Sequence, residues 1–305
     1  AASDVYKRQP FAGREGDYVT ARQIQERLEQ QLETDVSLKV TPTDQPDAWI
    51  VAGRGELHLS ILIENMRREG FELQVSKPQV ILREIDGVLS EPFERVQCEV
   101  PSENAGAVIE SLGARKGEML DMMTTDNGLT RLIFMVPARG MIGYTTEFMS
   151  MTRGYGIINH TLEEFRPRVK AQIGGRRNGA LISMDQGQAT SYAIINLEDR
   201  GVNFMEPGTE VYEGMIVGEH NRENDLTVNI TKAKHQTNVR SATKDQTQTM
   251  NRPRILTLEE ALQFINDDEL VEVTPENIRL RKKILNKSAR EKEAKRVKQM
   301  MQEDQ

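Results

Sequence analysis

The sequence is poor in the groups that usually announce chemistry. It has one cysteine, Cys98, so no intrachain disulfide can form. That suits a reducing cytosol, and a cytoplasmic location is expected. No apolar run approaches the roughly 20 residues of a membrane span, and no signal-peptide pattern opens the chain, so no membrane partner is expected. The four histidines, His58, His160, His220 and His235, are scattered, and no two stand at metal-ligand spacing. There is no G-x-x-x-x-G-K-[ST] run and hence no P-loop. Asn286-Lys287-Ser288-Ala289 begins like a guanine-reading N-K-x-D motif but lacks its Asp. Gly53-x-Gly55 is a structural turn or a fragment of an anion-binding one, and Glu56 beside it would repel phosphate. The acid groups Glu163-Glu164 and Asp267-Asp268-Glu269 stand on surface-like segments without a facing partner, which excludes an obvious general acid–base pair. No catalytic residue, bound cofactor or metal is expected in this chain.

What is present is an uneven distribution of charge. The chain is acidic, with 47 Asp plus Glu against 40 Lys plus Arg. Yet ITKAKHQTNVRSATKDQTQTMNRPR, residues 230–254, carries Lys232, Lys234, Arg240, Lys244, Arg252 and Arg254 against Asp245 alone. It has no glycine and no sustained period. One reading is a solvated polar loop. The other is a nucleic-acid contact, in which the cations neutralise phosphates, Thr237, Asn238, Ser241 and Thr243 donate hydrogen bonds, and His235 stacks on an exposed base. Screening limits such attraction to about 8 Å at physiological salt, so a local patch can act within an acidic protein. A second basic cluster, IRLRKKILNKSAREKEAKRVK, includes Arg281 and Lys282 and otherwise reads as a solvated, frayed helix. Arg115 and Lys116 end a helix, either as a charged cap or as phosphate contacts.

Periodicity gives the fold class α+β. A helix over 18–32, strands SLKV and AWIV, a helix over 56–68 stopped by Gly70, and strands FELQV and QVILREI fit a βαββαβ unit that needs one strand in front. A second round follows. Phe93 to Val100 alternates, with Val96, Cys98 and Val100 on one face. A helix runs over 105–114, GEMLDMM and TRLIFMV are strands, a helix spans 140–152, and IINHTLEEF closes the unit. From Pro167 the texture changes. GALISM, TSYAIINL and TEVYEGMIVGEH read as strands, and ELVEV and IRLRK follow. The one clear helix, TLEEALQFI, opens with a capping box of Thr257 and Glu260. Two tandem ferredoxin-like domains followed by a mostly β domain are expected.

At AGRGELHLSILIENMRREGFELQVSKPQVILREIDG, VPARGMIGYTTEFMSMTRGYGII and TLEEALQFINDDELVEVTP the sequence resembles the carboxy-terminal part of the BipA/TypA family of translational GTPases. The resemblance runs from Pro10 to about Lys283. It is most specific from Asn178 to Arg281, because the first two motifs are shared more loosely with elongation factor G. It implies domains 1–87 and 88–167, similar to the third and fifth domains of that factor, and a family-specific domain 168–305. It also implies a GTP- and Mg2+-binding domain and a β-barrel that this chain lacks. The partner implied is the ribosome, with the arm in the A site against the transfer RNA acceptor end and ribosomal RNA. The roles implied are translation, ribosome assembly or stress adaptation, by a monomer. Lys234, Thr237, Asn238 and Arg240 match the family's K-x-x-T-N-x-R pattern, whereas His235 is less typical.

The opening AASDVYKRQ departs from the family's first strand. It reads as a non-native junction, so an inner strand is expected to be absent or badly replaced and the first unit to be the least stable. The rival class is a free-standing ferredoxin-like metabolite sensor or enzyme. An RNA-recognition module would need sheet aromatics that VQCEV and TRLIFMV do not supply. Lacking a P-loop, the chain is expected to bind no GTP or GDP. Titration calorimetry showing stoichiometric micromolar binding would contradict this.

Overall fold

The computed structural model describes residues 2–6, 10–45, 47–125, 127–171, 173–233 and 250–303. It divides into two compact units. One comprises Ala1–Asp4, Leu28–Leu62 and Pro78–Gly175, the other Val5–Arg27, Ile63–Lys77 and Arg176–Gln305.

The chain opens with β1 (Ala2–Tyr6), α1 (Ala21–Thr34), β2 (Lys39–Pro42), β3 (Ala48–Ala52), α2 (Glu56–Arg68) and β4 (Leu73–Ser76). Their strand order is β4-β1-β3-β2, as in a βαββαβ sheet. A strand therefore occupies the first position, so of the two expectations the absent strand is corrected. Val5 and Tyr6 pair antiparallel with Val75 and Gln74. Ala2 and Gln79 exchange two main-chain hydrogen bonds of 2.8 Å. The ladder is built from backbone groups, so weak side-chain alternation does not prevent it. QVILREI, expected as one strand, forms that bridge at Gln79 and a separate short strand further on.

The GRGELH stretch is a structural turn. The Nδ1 of His58 accepts the Arg54 N–H at 3.2 Å, and Nε2 lies 2.6 Å from Asp35 Oδ2. A Cβ at Gly53 would meet the imidazole at 2.7 Å. Hydrogen bonds from Ser37, then from His58, hold the Asp35 carboxyl down at about 2.

The second round comprises β5 (Arg83–Ile85), β6 (Val88–Pro101), α3 (Ser102–Ala114), β7 (Glu118–Thr124), β8 (Leu129–Pro137), α4 (Ala138–Met141), α5 (Tyr144–Met151) and β9 (Ile157–Pro167). β9 pairs with β6, β6 with β8 and β8 with β7, the ferredoxin-like order. The alternation in β6 puts Val96, Cys98 and Val100 into a core with Val108, Leu112, Leu132, Phe134, Tyr144 and Phe148. Burial pushes the Cys98 thiol up to about 12, so it is an inert core group. The helix expected over 140–152 is broken into α4 and α5. Gly143, at φ 71°, takes a left-handed conformation that ends one helix and begins the next. In the PARGMIGY stretch, Arg139 is an internal staple. Its guanidinium reaches fully buried Glu91 at 2.6 Å and the carbonyls of Val169 and Ala171 at 2.6 and 2.8 Å.

The remainder contains β10 (Ala180–Ser183), β11 (Gly187–Gln188), α6 (Ser191–Leu197), β12 (Gly201–Asn203), β13 (Glu210–Val211), β14 (Met215–His220), β15 (Leu226–Val228), α7 (Leu258–Phe264), β16 (Glu269–Val273), β17 (Ile278–Lys282) and α8 (Lys287–Glu303). The sheet runs β15-β10-β14-β17-β16-β4, so β4 is shared with the opening βαββαβ set. The domain is mostly β, as expected, but TSYAIINL is not a strand. Thr190 caps α6 by accepting the Ala193 N–H at 3.1 Å, and Ala193, Ile194 and Leu197 are buried at helical spacing. α7 has its capping box as expected. The basic tail continues into α8.

The acid run at 267–269 is not all at the surface. Glu269 is fully buried, 2.9 Å from Arg176 and 2.8 Å from Lys282 Nζ. The ammonium also reaches Asp225 at 2.6 Å and Asp268 at 2.8 Å. Burial works against this charge, but Glu269, Asp268 and Asp225 outweigh it and raise the Lys282 pKa above the ordinary lysine value. Removing one member of a buried pair leaves a charge uncompensated. Lys282→Met is expected to cost about 3–5 kcal/mol in urea denaturation. Asp268→Asn, at a side chain 66% exposed, should cost no more than about 1 kcal/mol.

Candidate nucleic-acid interface

The basic segment 230–254 is planted on the two ends of α6. At its start, Ile230 is fully buried, and its carbonyl accepts the Thr190 N–H at 3.0 Å. The Thr190 hydroxyl donates to the Lys232 carbonyl at 2.6 Å. At its end, the Asn251 N–H and side-chain amide donate to Glu198 at 2.8 and 2.9 Å. The Arg254 N–H donates to the Asn203 carbonyl at 2.8 Å, and Met250 packs on the core. Thr190 is the N-cap of α6 and Glu198 its C-cap. A helix of seven residues is about 10 Å long, so the two anchors stand about one short helix apart. Reading TSYAIINL as a strand missed this bracket. The missed signal was Thr190 ahead of apolar residues at 193, 194 and 197.

The structure separates the candidate residues. Lys232 is exposed and in no ion pair with a described carboxylate. Lys234, His235, Thr237, Asn238, Arg240 and Lys244 lie outside the described residues. Lys116 is exposed at the end of α3, in the left-handed conformation at φ 63°. Arg115 beside it is turned inward. It donates to the Gly140 carbonyl at 2.6 Å, pairs with Glu147, and lies 4.9 Å over the Tyr144 ring. Arg281 donates to the carbonyls of Lys282 and Lys283, with a side chain only 11% exposed. Lys282 sits among its carboxylates, 3% exposed. Arg115, Arg281 and Lys282 thus serve the protein's own packing, because their donors are already engaged by internal acceptors. Arg153, which sequence reasoning passed over, ends α5 much as Lys116 ends α3, exposed and at φ 52°. The signal was a basic residue directly before the glycine that follows each helix.

Three family models match consecutive parts of the chain. They are elongation factor G domain III over residues 17–77, elongation factor G C-terminus over 88–173, and TypA/BipA C-terminal domain over 178–287. A Bacillus subtilis relative called large ribosomal subunit assembly factor BipA is 68% identical over 96% of this chain and 48% of its own length.

This chain belongs to the TypA/BipA family.

Proteins of the same name from Synechocystis and from Escherichia coli K12 are 52% and 50% identical over 90% and 92% of the chain. In each, the match covers 46% of the relative, so the chain spans about half the length of the curated relatives it matches. The α6 bracket and the segment it anchors lie inside the family's C-terminal domain match. Lys116 and Arg153 lie inside the match to the elongation factor G C-terminus.

Left-handed backbone costs an ordinary side chain about 1–2 kcal/mol relative to glycine. Lys116→Gly is therefore expected to raise stability by about 1 kcal/mol. Arg115→Ala should lower it by roughly 1–3 kcal/mol through its lost charged hydrogen bonds. Paired urea denaturation curves distinguish a displayed cation at 116 from a packed one at 115. Equal loss at both positions would contradict the distinction.

Proposed function

We propose that this chain is the ribosome- and transfer-RNA-binding portion of a TypA/BipA-type translational GTPase that acts in assembly of the large ribosomal subunit. The observation that carries the proposal is the basic segment 230–254 mounted on both ends of α6. A rigid base with a hydroxyl- and cation-rich segment suits an irregular phosphate surface. Phosphate contacts give affinity, and side-chain amides and hydroxyls give position. The names of the relatives support the large subunit as the partner. Lys232, Lys234, Arg240 and Lys244 would neutralise phosphates, Thr237 and Asn238 would donate to the acceptor end of A-site transfer RNA, and His235 would stack. Lys116 would meet ribosomal RNA from the second ferredoxin-like domain. GTP and Mg2+ would be bound, and GTP hydrolysed, by a part of the protein outside the matched half. The protein would work in the cytoplasm as a monomer. Domain limits at 87 and 167 accompany this proposal. No observation favours the metabolite-sensor alternative.

The test is ribosome affinity of the full-length protein at several salt concentrations, wild type against alanine at Lys232, Lys234, Arg240 and Lys244. Each lost phosphate contact is expected to reduce the slope of log affinity against log salt by roughly 0.7 where the RNA is single-stranded. His235→Ala should lose about 1–3 kcal/mol of binding with little change in slope, as expected for stacking. Unchanged affinity and slope in a folded quadruple variant would mean that the segment is a solvated loop.

A further inference from the structure

The sequence holds two Asn-Gly pairs, Asn127-Gly128 and Asn178-Gly179. Such a pair carries its own reactants. The side-chain amide carbon of the asparagine is an electrophile. The next main-chain nitrogen is a nucleophile, and glycine, lacking a Cβ, leaves it open to approach. Attack closes a ring only where the side chain can turn and that nitrogen can move. The fold treats the two pairs differently.

Asn178-Gly179 is pinned. The Asn178 side-chain amide donates to Glu219 at 3.0 Å, and the Asn178 main-chain carbonyl accepts from Arg176 Nε at 2.6 Å. The N–H of buried Gly179 donates to the Arg222 carbonyl at 2.7 Å. A Cβ on Gly179 would stand 2.1 Å from the Asn224 carbonyl oxygen, so neighbouring backbone leaves that residue no room. Asn127-Gly128 lies in the connection between β7 and β8, and both residues are exposed. Among the described residues, none is bonded to the Asn127 side chain. Gly128 is left-handed at φ 76°, with nothing within 4 Å of the place a Cβ would take. Its N–H donates to the carbonyl of exposed Thr125 at 3.1 Å, a turn bond at the surface.

We propose that Asn127-Gly128 is a site of spontaneous deamidation and that folding protects Asn178-Gly179 from the same reaction. The Gly128 nitrogen attacks Asn127 Cγ. A C–N bond forms, the bond to the side-chain nitrogen breaks, and that nitrogen leaves as ammonia with the proton given up by Gly128. The product is a cyclic imide. Water then opens the ring. Opening at Cγ gives aspartate. Opening at the main-chain carbonyl gives isoaspartate, whose backbone runs through the former side chain. No electrons are transferred, and water is the co-reactant. Either product adds a carboxylate to the hairpin tip. Isoaspartate also displaces Gly128, whose carbonyl accepts the Ser102 N–H and hydroxyl, each at 3.0 Å. That N–H opens α3, a helix with no side-chain cap, so the modified chain loses the partner that holds the start of the helix.

The full-length protein, aged at mildly alkaline pH, tests this by peptide mass spectrometry at both pairs. The amide at 127 is expected to be lost while the amide at 178 stays. The same ageing in urea should convert both, because the protection at 178 comes from the fold. Isoaspartyl methyltransferase with labelled S-adenosylmethionine should mark the folded, aged protein and leave folded Asn127→Gln nearly unmarked. Conversion of both asparagines at one rate in the folded protein would overturn the proposal. So would survival of the amide at 127 in folded protein when urea converts it, or a label that persists in Asn127→Gln. Hydrogen exchange over residues 102–108 is expected to be several times faster in the isoaspartate form. Exchange equal to that of fresh protein would overturn the link to α3.

Discussion

The four-residue ladder between β4 and β16 is the constraint on which the carboxy-terminal unit depends. Leu73, Gln74, Val75 and Ser76 pair in register with Val273, Glu272, Val271 and Leu270. In a ferredoxin-like sheet taken alone, β4 is an edge strand with one row of unpaired backbone groups. Here β16 covers that edge, and β4 becomes interior. All four of its residues are buried, the polar Gln74 and Ser76 along with Leu73 and Val75. A buried polar face needs partners, and the neighbouring strands supply a matching row of Glu272, Arg279 and Arg281. One ladder therefore dictates both the continuity of the sheet and the polar layer that lies on it.

Buried charge shapes the surface as well. The chain is acidic overall, and its folded interior consumes many of its cations. Arg139 is bound to Glu91, Arg176 and Lys282 to Glu269, and Arg279 to Glu15. Burial pushes the Glu15 carboxyl up, but hydrogen bonds from Thr274, Arg279 and Asn277 outweigh it and hold the group below its ordinary range. These pairs fix the geometry of loops and strand ends and are withdrawn from solvent. Lys116, Arg153 and Lys232 are among the described cations that remain exposed. A count of charge along the sequence cannot distinguish Arg115 from Lys116. The distinction comes from where the helix ends and which side chain the preceding turn directs inward.

The sequence was most legible where a single element decides the outcome. Alternation in β6 located Val96, Cys98 and Val100, and the Thr257 capping box located α7. Both signals depend on contacts within a few residues. It was least legible where distant residues decide. Lys282 and Glu269 look like surface charges until β16, β17 and the 225 region meet. TSYAIINL has β-branched residues that favour a strand, yet Thr190 caps it and the core takes Ala193, Ile194 and Leu197 at helical spacing. AASDVYKRQ lacks the apolar alternation of an inner strand, yet its backbone pairs with β4. Of the candidate interface, composition revealed the basic segment but not its anchors on α6, and it left Arg115 open between a helix cap and a phosphate contact, which the inward guanidinium decides only once Gly140 and Glu147 are in place.

The α6 bracket explains how such a segment can belong to a stable domain. A long polar connection gains nothing from the core and costs entropy on closure, although that cost rises only logarithmically with length. The cost is smallest when the two ends are already close and independently fixed. Ile230 and Met250 give each end an apolar anchor, and Thr190 and Glu198 add hydrogen bonds at opposite ends of one helix. The two described ends are thus each held by the core, about one short helix apart, and that proximity keeps the closure cost of the connection small.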